Sequence, residues 1–421
     1  MNQTLAKQFV VEPLESGVDV RAGALSGRRV LIIAPQPFFA NRGTPFNVRA
    51  MVNALSQHDC EIDLLAFPFG EPVNLPSGVR VLRSPNLPFI RDVPIGPSWT
   101  KILLDIPLCF SSLWHAVRGN YDAYHGVEEG GIIAGVLSML TRRTYIYDMD
   151  SCMPQQLRDS GFLKSNYLLG LIASLENIFI RRAGAVLTVC RALTEKAKAI
   201  APNTLVHQIE DCPVESEPCE QLVAEMRLRY GLGDKRVVVY TGNVESYQGM
   251  DLLLKSFALC VGKHGLGDVT LLIVGGSGEQ LESCKAFAQE LGIRERVVFA
   301  GERPPAEMGS FYELADVLVS PRIVGGNTPL KLYSYMSAER PIVATSISSH
   351  TQVLDDTNAF LAEPEPQAFA AALNESLQSG SVEIDRKVTA AKELVDARYS
   401  REAFEARLLA LYVELFEGLP N

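Results

Sequence analysis

The chain has 421 residues, of which 47% are hydrophobic and 21% are charged, and this ordinary globular composition excludes wholesale disorder. Its length predicts two or three domains. The 39 basic and 49 acidic residues give a net charge of -10, so the sequence lacks the global basic surface of a nucleic-acid-binding protein. Apolar runs such as Val237–Tyr240 are far shorter than the roughly 20 residues that span a bilayer, and we therefore expect no membrane-spanning segment.

The cysteines and the N-terminus indicate the compartment. The eight cysteines form no CxxC pair and have no metal-ligand spacing, so we expect reduced thiols in a cytoplasmic protein. Residues 1–27 contain no basic segment followed by an apolar core, which excludes a signal peptide. We expect these residues to form a flexible leader.

Short β-rich runs alternate with helical patterns from residue 28 to about residue 364. This alternation predicts repeated βαβ units and parallel sheets in an α/β protein. The predicted strands are Arg29–Pro35, Glu61–Phe67, Tyr121–Val127, Thr144–Asp150, Ala185–Cys190, Thr204–Ile209, Arg236–Gly242, Val269–Gly275, Arg296–Gly301, Val317–Pro321, Pro341–Thr345 and Phe360–Glu363.

An acidic stretch with two prolines, Glu210–Glu220, interrupts the pattern and has the composition of a linker. It predicts two doubly wound, Rossmann-like domains, 28–210 and 211–398, that face a cleft. Tyr399–Glu417 is predicted to be an amphipathic helix, and packing of residues 399–421 back onto the first domain is one option that the sequence leaves open.

The segment Ser320–Thr345 contains the sharpest signal of a binding site. A buried strand leads into a Gly-Gly loop, and Thr328 then stands as a helix N-cap with Pro329 at the first helical position. The unpaired amides of Leu330 and Lys331 would form an anion site at the start of this helix. The alternative is a plain capped helix that carries a lysine by chance.

Three other glycine-bearing turns follow predicted parallel strands. They contain Gly43 with Thr44, Gly242 through Gly249, and Gly276. The turn at Gly276 resembles a dinucleotide fingerprint, but its GxGxxG spacing is incomplete, which disfavours a dehydrogenase. Turns of this kind in both domains point to one phosphate-bearing ligand held in the cleft.

Four ordered segments resemble the retaining glycosyltransferases of the family 4 type, which have the GT-B fold. The segments are VYTGN with YQGMDLLLKSF, LLIVGGSGE, VVFAGERPPAEMGSFYELADVLVSPR and NTPLKLYSYMSAERPIVAT, within residues 236–364. The resemblance implies a nucleotide-sugar donor, a UDP-sugar being the commonest choice, and transfer without metal or other cofactor. It also implies an acceptor on the first domain.

The resemblance further implies which residues bind the donor. The diphosphate would lie near Gly43 and at the amides of Thr328, Pro329, Leu330 and Lys331, and the nucleotide near Gly276, Glu302 and Arg303. The further candidate donor-binding residues are Thr44, Gly242, Asn243, Gln248, Arg322, Asn327 and Ser334.

This chain departs from the family pattern at four of its positions. Gly326 and Ser334 replace two glutamates, and Asn243 and Gln248 replace two cations that usually bind the diphosphate. A charge-assisted hydrogen bond contributes roughly 1.5–3 kcal/mol, so losing both cations would weaken donor binding. Either the cations have moved, with Lys331 and Arg322 as substitutes, or catalysis has decayed. We favour the first interpretation.

Polar residues also follow two strands of the first domain. His125 and Glu128 are candidates for orienting a sugar and for accepting the acceptor's proton, and Asp150 is a candidate for binding an acceptor hydroxyl. Lys331 completes the set of candidate catalytic residues. The alternative for His125 and Glu128 is a structural histidine and an acid at a helix start. The DxD sequence Asp148–Asp150 resembles a metal-binding motif. We disfavour metal binding there because the predicted phosphate-binding residues lie in the other half of the chain.

Residues 87–119 combine both tryptophans with many aliphatic side chains and a few basic ones. Such a segment can lie in a membrane interface, which would suit a lipid-linked acceptor and a peripheral position at the inner face of the membrane. The alternative is a core helix or a dimer patch. We interpret the chain as a transferase that acts on a glycan or lipid-linked acceptor. A nucleotide-sugar epimerase and a decayed, non-catalytic scaffold remain as alternatives.

Overall fold

The computed structural model describes residues 24–38, 43–70, 75–94, 96–214, 216–263 and 267–418. The predicted leader therefore lies outside the described residues up to residue 23. The last residues of that segment are described, and Leu25 is buried in the core of the first sheet.

The first half of the chain forms a parallel sheet. Its strands lie in the order β3-β2-β1-β4-β5-β6-β7. Within the described residues these strands are β1 (Arg29–Ala34), β2 (Glu61–Ala66), β3 (Val79–Arg83), β4 (Ala123–Val127), β5 (Thr144–Met149), β6 (Ala185–Thr188) and β7 (Leu205–Gln208). The helices that accompany them are α1 (Gly43–Ser56), α2 (Trp99–Arg118), α3 (Gly130–Thr141), α4 (Met153–Asp159), α5 (Asn166–Arg182) and α6 (Arg191–Ile200).

The second half forms another parallel sheet, in the order β10-β9-β8-β11-β12-β13. The described strands are β8 (Arg236–Thr241), β9 (Val269–Val274), β10 (Val297–Gly301), β11 (Val317–Ser320), β12 (Ile342–Thr345) and β13 (Phe360–Ala362). The described helices are α7 (Glu220–Arg229), α8 (Met250–Lys263), α9 (Gly278–Glu290), α10 (Met308–Glu313), α11 (Leu330–Ser337), α12 (Pro366–Gln378), α13 (Ser381–Leu394) and α14 (Arg401–Glu417), with a π-helical turn over Val395–Tyr399 before α14.

The prediction of two doubly wound α/β sheets is confirmed, with one strand missed. Strand β3 is at the edge of the first sheet and reads VRVLR, with two arginines and no fully buried residue. It lacks the continuous apolar run that marks strands buried on both faces, such as β1 and β8, and that run was the signal used for prediction.

The C-terminal helix α14 begins at Arg401, two residues later than predicted, because the π-helical turn occupies the preceding residues. It packs against the first sheet, where Phe404, Leu408 and Tyr412 join the core of that domain. The chain therefore crosses to the second sheet after β7 and returns at its end.

Two turns at the carboxyl edge of the second sheet depend on glycine. Gly249 has φ +76°, and a Cβ at that position would lie 2.0 Å from the carbonyl oxygen of Pro321. Gly275 has φ +114°, and its Cβ would lie 2.1 Å from the carbonyl oxygen of Gly242. These contacts bring the turns after β8, β9 and β11 into direct contact around one spot.

We predict that Gly249→Ala lowers the free energy of unfolding by about 2 kcal/mol or more, because the methyl group adds a backbone clash to the cost of a left-handed conformation. Gly231→Ala is the matched control, since Gly231 also has positive φ (+62°) but has open space around its Cβ. Urea denaturation should show only about 1 kcal/mol of loss for the control. Equal losses in the two variants would contradict the close approach at Pro321.

Candidate active site between the two sheets

The loop between β11 and α11 is held in shape by Arg322. This buried side chain donates from Nε to the carbonyl of Val324 (2.8 Å) and from its two terminal nitrogens to the carbonyl and side-chain oxygens of Asn327 (3.2 Å each). Its guanidinium lies over the ring of Tyr247, 5.3 Å from the centroid. Arg322 therefore positions Asn327 at the edge of the cleft.

Lys331 extends from the first turn of α11 into the cluster of glycine turns. Its Nζ donates to Oε1 of Gln248 (3.3 Å) and lies 4.0 Å from the centroid of the Tyr240 ring. Burial, and then the nearby charge of Arg322, holds the pKa of this ammonium well below its usual range. Among the residues that the structure describes, Lys331 forms no ion pair with a carboxylate, so an anionic ligand here would restore its charge.

The start of α11 differs from the prediction by one residue. Pro329 is the N-cap, with extended backbone (φ -66°, ψ 129°), and the helix begins at Leu330. The Thr328 side chain does not cap the helix. Its buried Oγ1 has no hydrogen-bond partner among the described residues. The amides of the first turn, including those of Leu330 and Lys331, lack intrahelical acceptors and add partial positive charge beside the Lys331 side chain.

The turn after β8 contributes main-chain groups to the same cluster. A Cβ built on Gly242 would lie 3.0 Å from Nζ of Lys331, so glycine leaves the lysine room there. Asn243 uses its carbonyl oxygen to accept from Tyr240 Oη (2.5 Å) and its side-chain oxygen to accept from the Glu245 amide (3.4 Å). The structure thus brings Gly242, Asn243, Gln248 and Lys331 together.

The residues predicted around the nucleoside have partners within the protein. Gly276 packs against Val244 in the turn after β9, and Glu302 accepts from Ser277 Oγ at the same edge. Arg303 forms a bidentate pair with Glu307 (2.8 and 3.0 Å).

The Ser334 side chain contacts the segment between the two domains. It is buried, and its hydroxyl accepts from the amide of Val214 (3.2 Å). Ser334 therefore lies on the face of α11 that packs against the interdomain segment, and its binding of ribose hydroxyls stays a prediction.

Across the cleft, Asp150 follows β5 and meets the second domain. Thr44, in the first turn of α1, is the hydrogen-bonding neighbour that lowers the pKa of Asp150 against the larger effect of burial. The carbonyl oxygen of Asp150 lies 3.5 Å from Nδ2 of Asn327. Gly43 precedes Thr44, and none of the described residues would come within 4 Å of a Cβ there. The two predicted halves of the site therefore meet at Thr44, Asp150 and Asn327.

Three aspartates lie on this side of the cleft, of which Asp148 and Asp150 are buried and Asp211 is partly buried. Asp148, Asp150 and Asp211 each have a buried oxygen, Oδ1, without a hydrogen-bond partner in the described part of the chain. Burial, followed by the charge of neighbouring acids, raises the pKa of Asp150 well above its usual range and the pKa of Asp211 to about 7. Such carboxyls are suited to accept hydrogen bonds from, or exchange protons with, the hydroxyls of a bound sugar.

The sequence analysis missed Asp211 and Tyr333. Asp211 was assigned to the linker because of its acidic surroundings, although it follows a strand by three residues and so lies at the carboxyl edge of the first sheet. Tyr333 Oη is buried without a hydrogen-bond partner among the described residues, and its pKa is raised first by burial and then by Asp211. The position of Asp211 after a strand was the available signal.

His125 does not face the cleft as predicted. The side chain is fully buried, with Nδ1 2.7 Å from Tyr412 Oη and Nε2 3.1 Å from Asp148 Oδ2. All five residues of β4 are buried, and α14 covers the face on which His125 lies. The prediction of direct sugar contact is therefore corrected in favour of the structural alternative, in which His125 orients Asp148 and anchors the C-terminal helix.

Glu128 has a strained backbone and a fixed ion pair. It follows β4 with φ +51°, which is uncommon for a residue with a side chain. The carboxylates of Glu128 and Glu129 lie 3.6 and 2.6 Å from Nζ of Lys101 on α2. Burial lowers the pKa of Lys101, but the charges of Glu129 and Glu128 outweigh it and raise that pKa overall. Glu128 is thus ion-paired rather than free to act as the predicted base.

The facing carboxyl edges of two parallel, helix-covered sheets define the GT-B class of fold, as predicted. The fold is shared at a TM-score of 0.76 with sucrose-phosphate synthase from Thermosynechococcus elongatus, which is 17% identical and covers 93% of this chain and 100% of its own. The fold is also shared, at a TM-score of 0.71, with Alr3699/HepE from Anabaena in complex with UDP-glucose. That chain is 16% identical, and the match covers 92% of this chain and 99% of HepE.

The sequence comparisons match the second domain. Residues 235–379 match the family described as Glycosyl transferases group 1, which confirms the predicted resemblance. A D-inositol 3-phosphate glycosyltransferase from Corynebacterium urealyticum is 31% identical over 192 residues, which are 44% of this chain and 44% of the relative. The chain thus aligns with less than half the length of this curated relative.

We predict that Asp211→Asn stabilises the protein at pH 8 and that the gain shrinks as the pH falls. Because the folded-state pKa of Asp211 is raised to about 7, its neutral form is favoured in the folded protein. The penalty for ionising it is absent below pH 4 and grows by up to about 1.4 kcal/mol per pH unit until pH 7.

Urea denaturation at pH 5 and pH 8 measures this effect, and Asp234→Asn, at an exposed loop position, is the control. A gain for Asp211→Asn that is the same at both pH values would contradict the account.

Proposed function

We propose that the protein is a retaining, metal-independent glycosyltransferase that moves a sugar from a nucleotide-diphosphate sugar to a glycan or lipid-linked acceptor. One observation carries the proposal. A partly buried ammonium without an ion-pair partner among the described residues, that of Lys331, lies among the glycine turns of the group 1 module, beside free amides of a helix start. A diphosphate matches this arrangement in charge and in hydrogen bonding.

The position of Lys331 supports relocation of the missing cations. Gln248 stands where the family has a diphosphate-binding lysine, and the Lys331 ammonium donates to the Gln248 side chain. Its charge therefore lies beside the position that the family's lysine would occupy, although it comes from a different element. Arg322 is a second cation nearby, it is buried, and its charge lowers the pKa of Lys331.

The two sides of the cleft have complementary chemistry. On the second domain, Lys331 and the amide of Leu330 stabilise the negative charge that develops on the departing diphosphate, which is electrostatic catalysis by fixed donors. On the first domain, Asp150 accepts a hydrogen bond from the acceptor hydroxyl, and Thr44 lies beside that carboxyl. The cations at Lys331 and Arg322 also supply the positive charge that a divalent metal supplies in other phosphate sites, which supports metal independence.

The donor base and the cellular location have separate support. Alr3699/HepE, which shares the fold, binds UDP-glucose, and this favours uridine as the base. All eight cysteines are free thiols, which supports the predicted cytoplasmic location. No described helix is long and apolar enough to cross a membrane. The predicted contact segment 87–119 contains α2, whose outer face is apolar, and this supports a lipid-linked acceptor and a peripheral position at the inner face of the membrane.

A non-catalytic scaffold is the second candidate. Ser334 accepts from the Val214 amide and Arg303 is paired with Glu307, so two residues predicted to bind the nucleoside are engaged within the protein. A scaffold of this kind would bind no nucleotide, whereas a nucleotide-sugar epimerase would convert its donor without any acceptor. Product analysis in the absence of acceptor separates the epimerase from the transferase.

We predict that Lys331→Met weakens binding of UDP about 10- to 150-fold, because it removes a charge-assisted hydrogen bond worth roughly 1.5–3 kcal/mol while keeping the length of the side chain. Calorimetry with UDP, GDP and ADP measures the loss, and the exposed Lys235→Met is the matched control. Wild-type protein that binds none of the three nucleotides would support the scaffold instead.

We predict that transfer proceeds at an unchanged rate in excess EDTA and that the product retains the anomeric configuration of the donor. Proton NMR of the product, with an array of glycan and lipid-linked acceptors, reads the configuration directly. Abolition of transfer by EDTA with recovery on adding Mg²⁺ would contradict the role given to Lys331 and Arg322.

A further inference from the structure

Three neighbouring helices of the first domain expose continuous apolar stripes. On α2 the stripe extends from Trp99 to Val117, and Phe110 and Val117 each retain 71% of their accessible surface. Helices α3 and α5 carry stripes of the same kind. The exposed apolar side chains of the three helices are Trp99, Ile102, Leu103, Ile106, Phe110, Leu113, Trp114, Val117, Val136, Met139, Leu140, Tyr167, Leu168, Leu171, Leu175 and Ile178.

These stripes form one surface, which we name the α2/α3/α5 face. Helix α3 packs against both α2 and α5, and Arg182 at the end of α5 reaches the Met139 sulfur on α3 (3.5 Å). Each helix buries its opposite side on the sheet, for example through Leu104 on α2 and Ile180 on α5. The outer stripes are therefore additional to the residues that hold the domain together.

The α2/α3/α5 face has no exposed acid. The chain contains 49 acidic residues, yet the described helices α2, α3 and α5 contain only Asp105 and Glu176. Glu176 is buried and accepts from the Met153 amide (2.9 Å). Asp105 is partly buried, and its pKa is raised to about 8 by burial and by the charge of Glu129. A chain of net charge -10 thus presents one face without exposed negative charge.

The same face ends in a cluster of arginines. Each of the three helices returns antiparallel to the strands, so their C-terminal ends lie at one end of the domain. The exposed arginines there are Arg118, Arg142, Arg143, Arg181 and Arg182. In the described part of the chain none of the five forms an ion pair with a carboxylate, and Arg118 stacks on Trp114 with its Cζ 3.4 Å from the ring centroid.

We propose that the α2/α3/α5 face docks on a membrane surface that contains anionic lipid. The apolar stripes enter the boundary between headgroups and acyl chains, the two tryptophans lie at that interface, and the arginines contact anionic headgroups. An anionic membrane repels a chain with net charge -10. Docking through this face reduces that repulsion, because the face carries arginines and no exposed acid.

The face reaches the edge of the candidate active site at its other end. Trp99, the first residue of α2, packs on Phe162 with ring centroids 5.3 Å apart. Lys101, two residues later, pairs with Glu128 and Glu129 at the carboxyl end of β4. A docked protein would therefore hold the acceptor side of its cleft close to the membrane. This consequence for the acceptor rests on the proposed function, whereas docking itself does not.

Vesicle sedimentation of the full chain without nucleotide tests the proposal. We expect binding to vesicles of phosphatidylcholine with 30% phosphatidylglycerol and weaker binding to phosphatidylcholine alone. Phe110→Glu with Val117→Glu should lower partitioning more than tenfold, since it places charge in the apolar stripe. Val382→Glu, at an 82% exposed valine outside the face, is the matched control and should bind as the wild type does.

A second pair of variants isolates the electrostatic part. Arg142→Gln with Arg143→Gln should weaken binding to the anionic vesicles about fivefold for each arginine and leave binding to phosphatidylcholine unchanged. Circular dichroism and thermal unfolding confirm that each variant is folded.

The proposal is overturned if folded wild-type protein does not sediment with anionic vesicles or if the two glutamates leave binding intact. It is also overturned if sedimentation velocity shows a dimer that the glutamates dissociate, because a second copy would then cover the face. Measurements with UDP in solution remain independent of all these results.

Discussion

A partly buried ammonium that has no carboxylate partner among the described residues is the constraint on which the site depends. Lys331 extends from the first turn of α11 between Tyr240, Gln248 and Gly242, where burial and Arg322 both disfavour its charged form. Folding alone gains little from placing a lysine there, since an apolar side chain of similar length would fill the space at lower cost. A bound anion changes that balance, because it replaces the lost solvation of the ammonium.

The surrounding backbone is arranged to admit such an anion. The glycine turns after β8 and β9 approach each other without side chains between them, and the turn at Gly249 lies directly against Pro321. Opposite, the acids at the end of β5 retain unpaired oxygens, with Asn327 joining the two sides through Asp150. One edge of the cleft is therefore cationic and rich in amides, and the other is acidic. The cationic edge suits a diphosphate leaving group, and the acidic edge suits a hydroxyl acceptor.

The fold was predictable from the sequence, and the site was predictable in part. Continuous apolar runs identified twelve strands, and glycine turns after strands marked Gly242, Gly276 and the segment before Lys331. Prediction failed where tertiary contacts decide. The burial of His125 depends on α14, because Tyr412 of that helix, 287 residues away along the chain, contacts the His125 ring. Ser334 is occupied by a linker amide, a contact that no local pattern reveals. A carboxylate's position relative to a strand end, as at Asp211, was available and overlooked.

A crystal structure of the protein with UDP measures the central claim most directly. The account predicts the β-phosphate within hydrogen-bonding distance of Lys331 Nζ and of the Leu330 amide, with the open end of the diphosphate directed toward Asp150. Density for UDP that leaves Lys331 in contact with Gln248 alone, or that lies outside the gap between the two sheets, would contradict it.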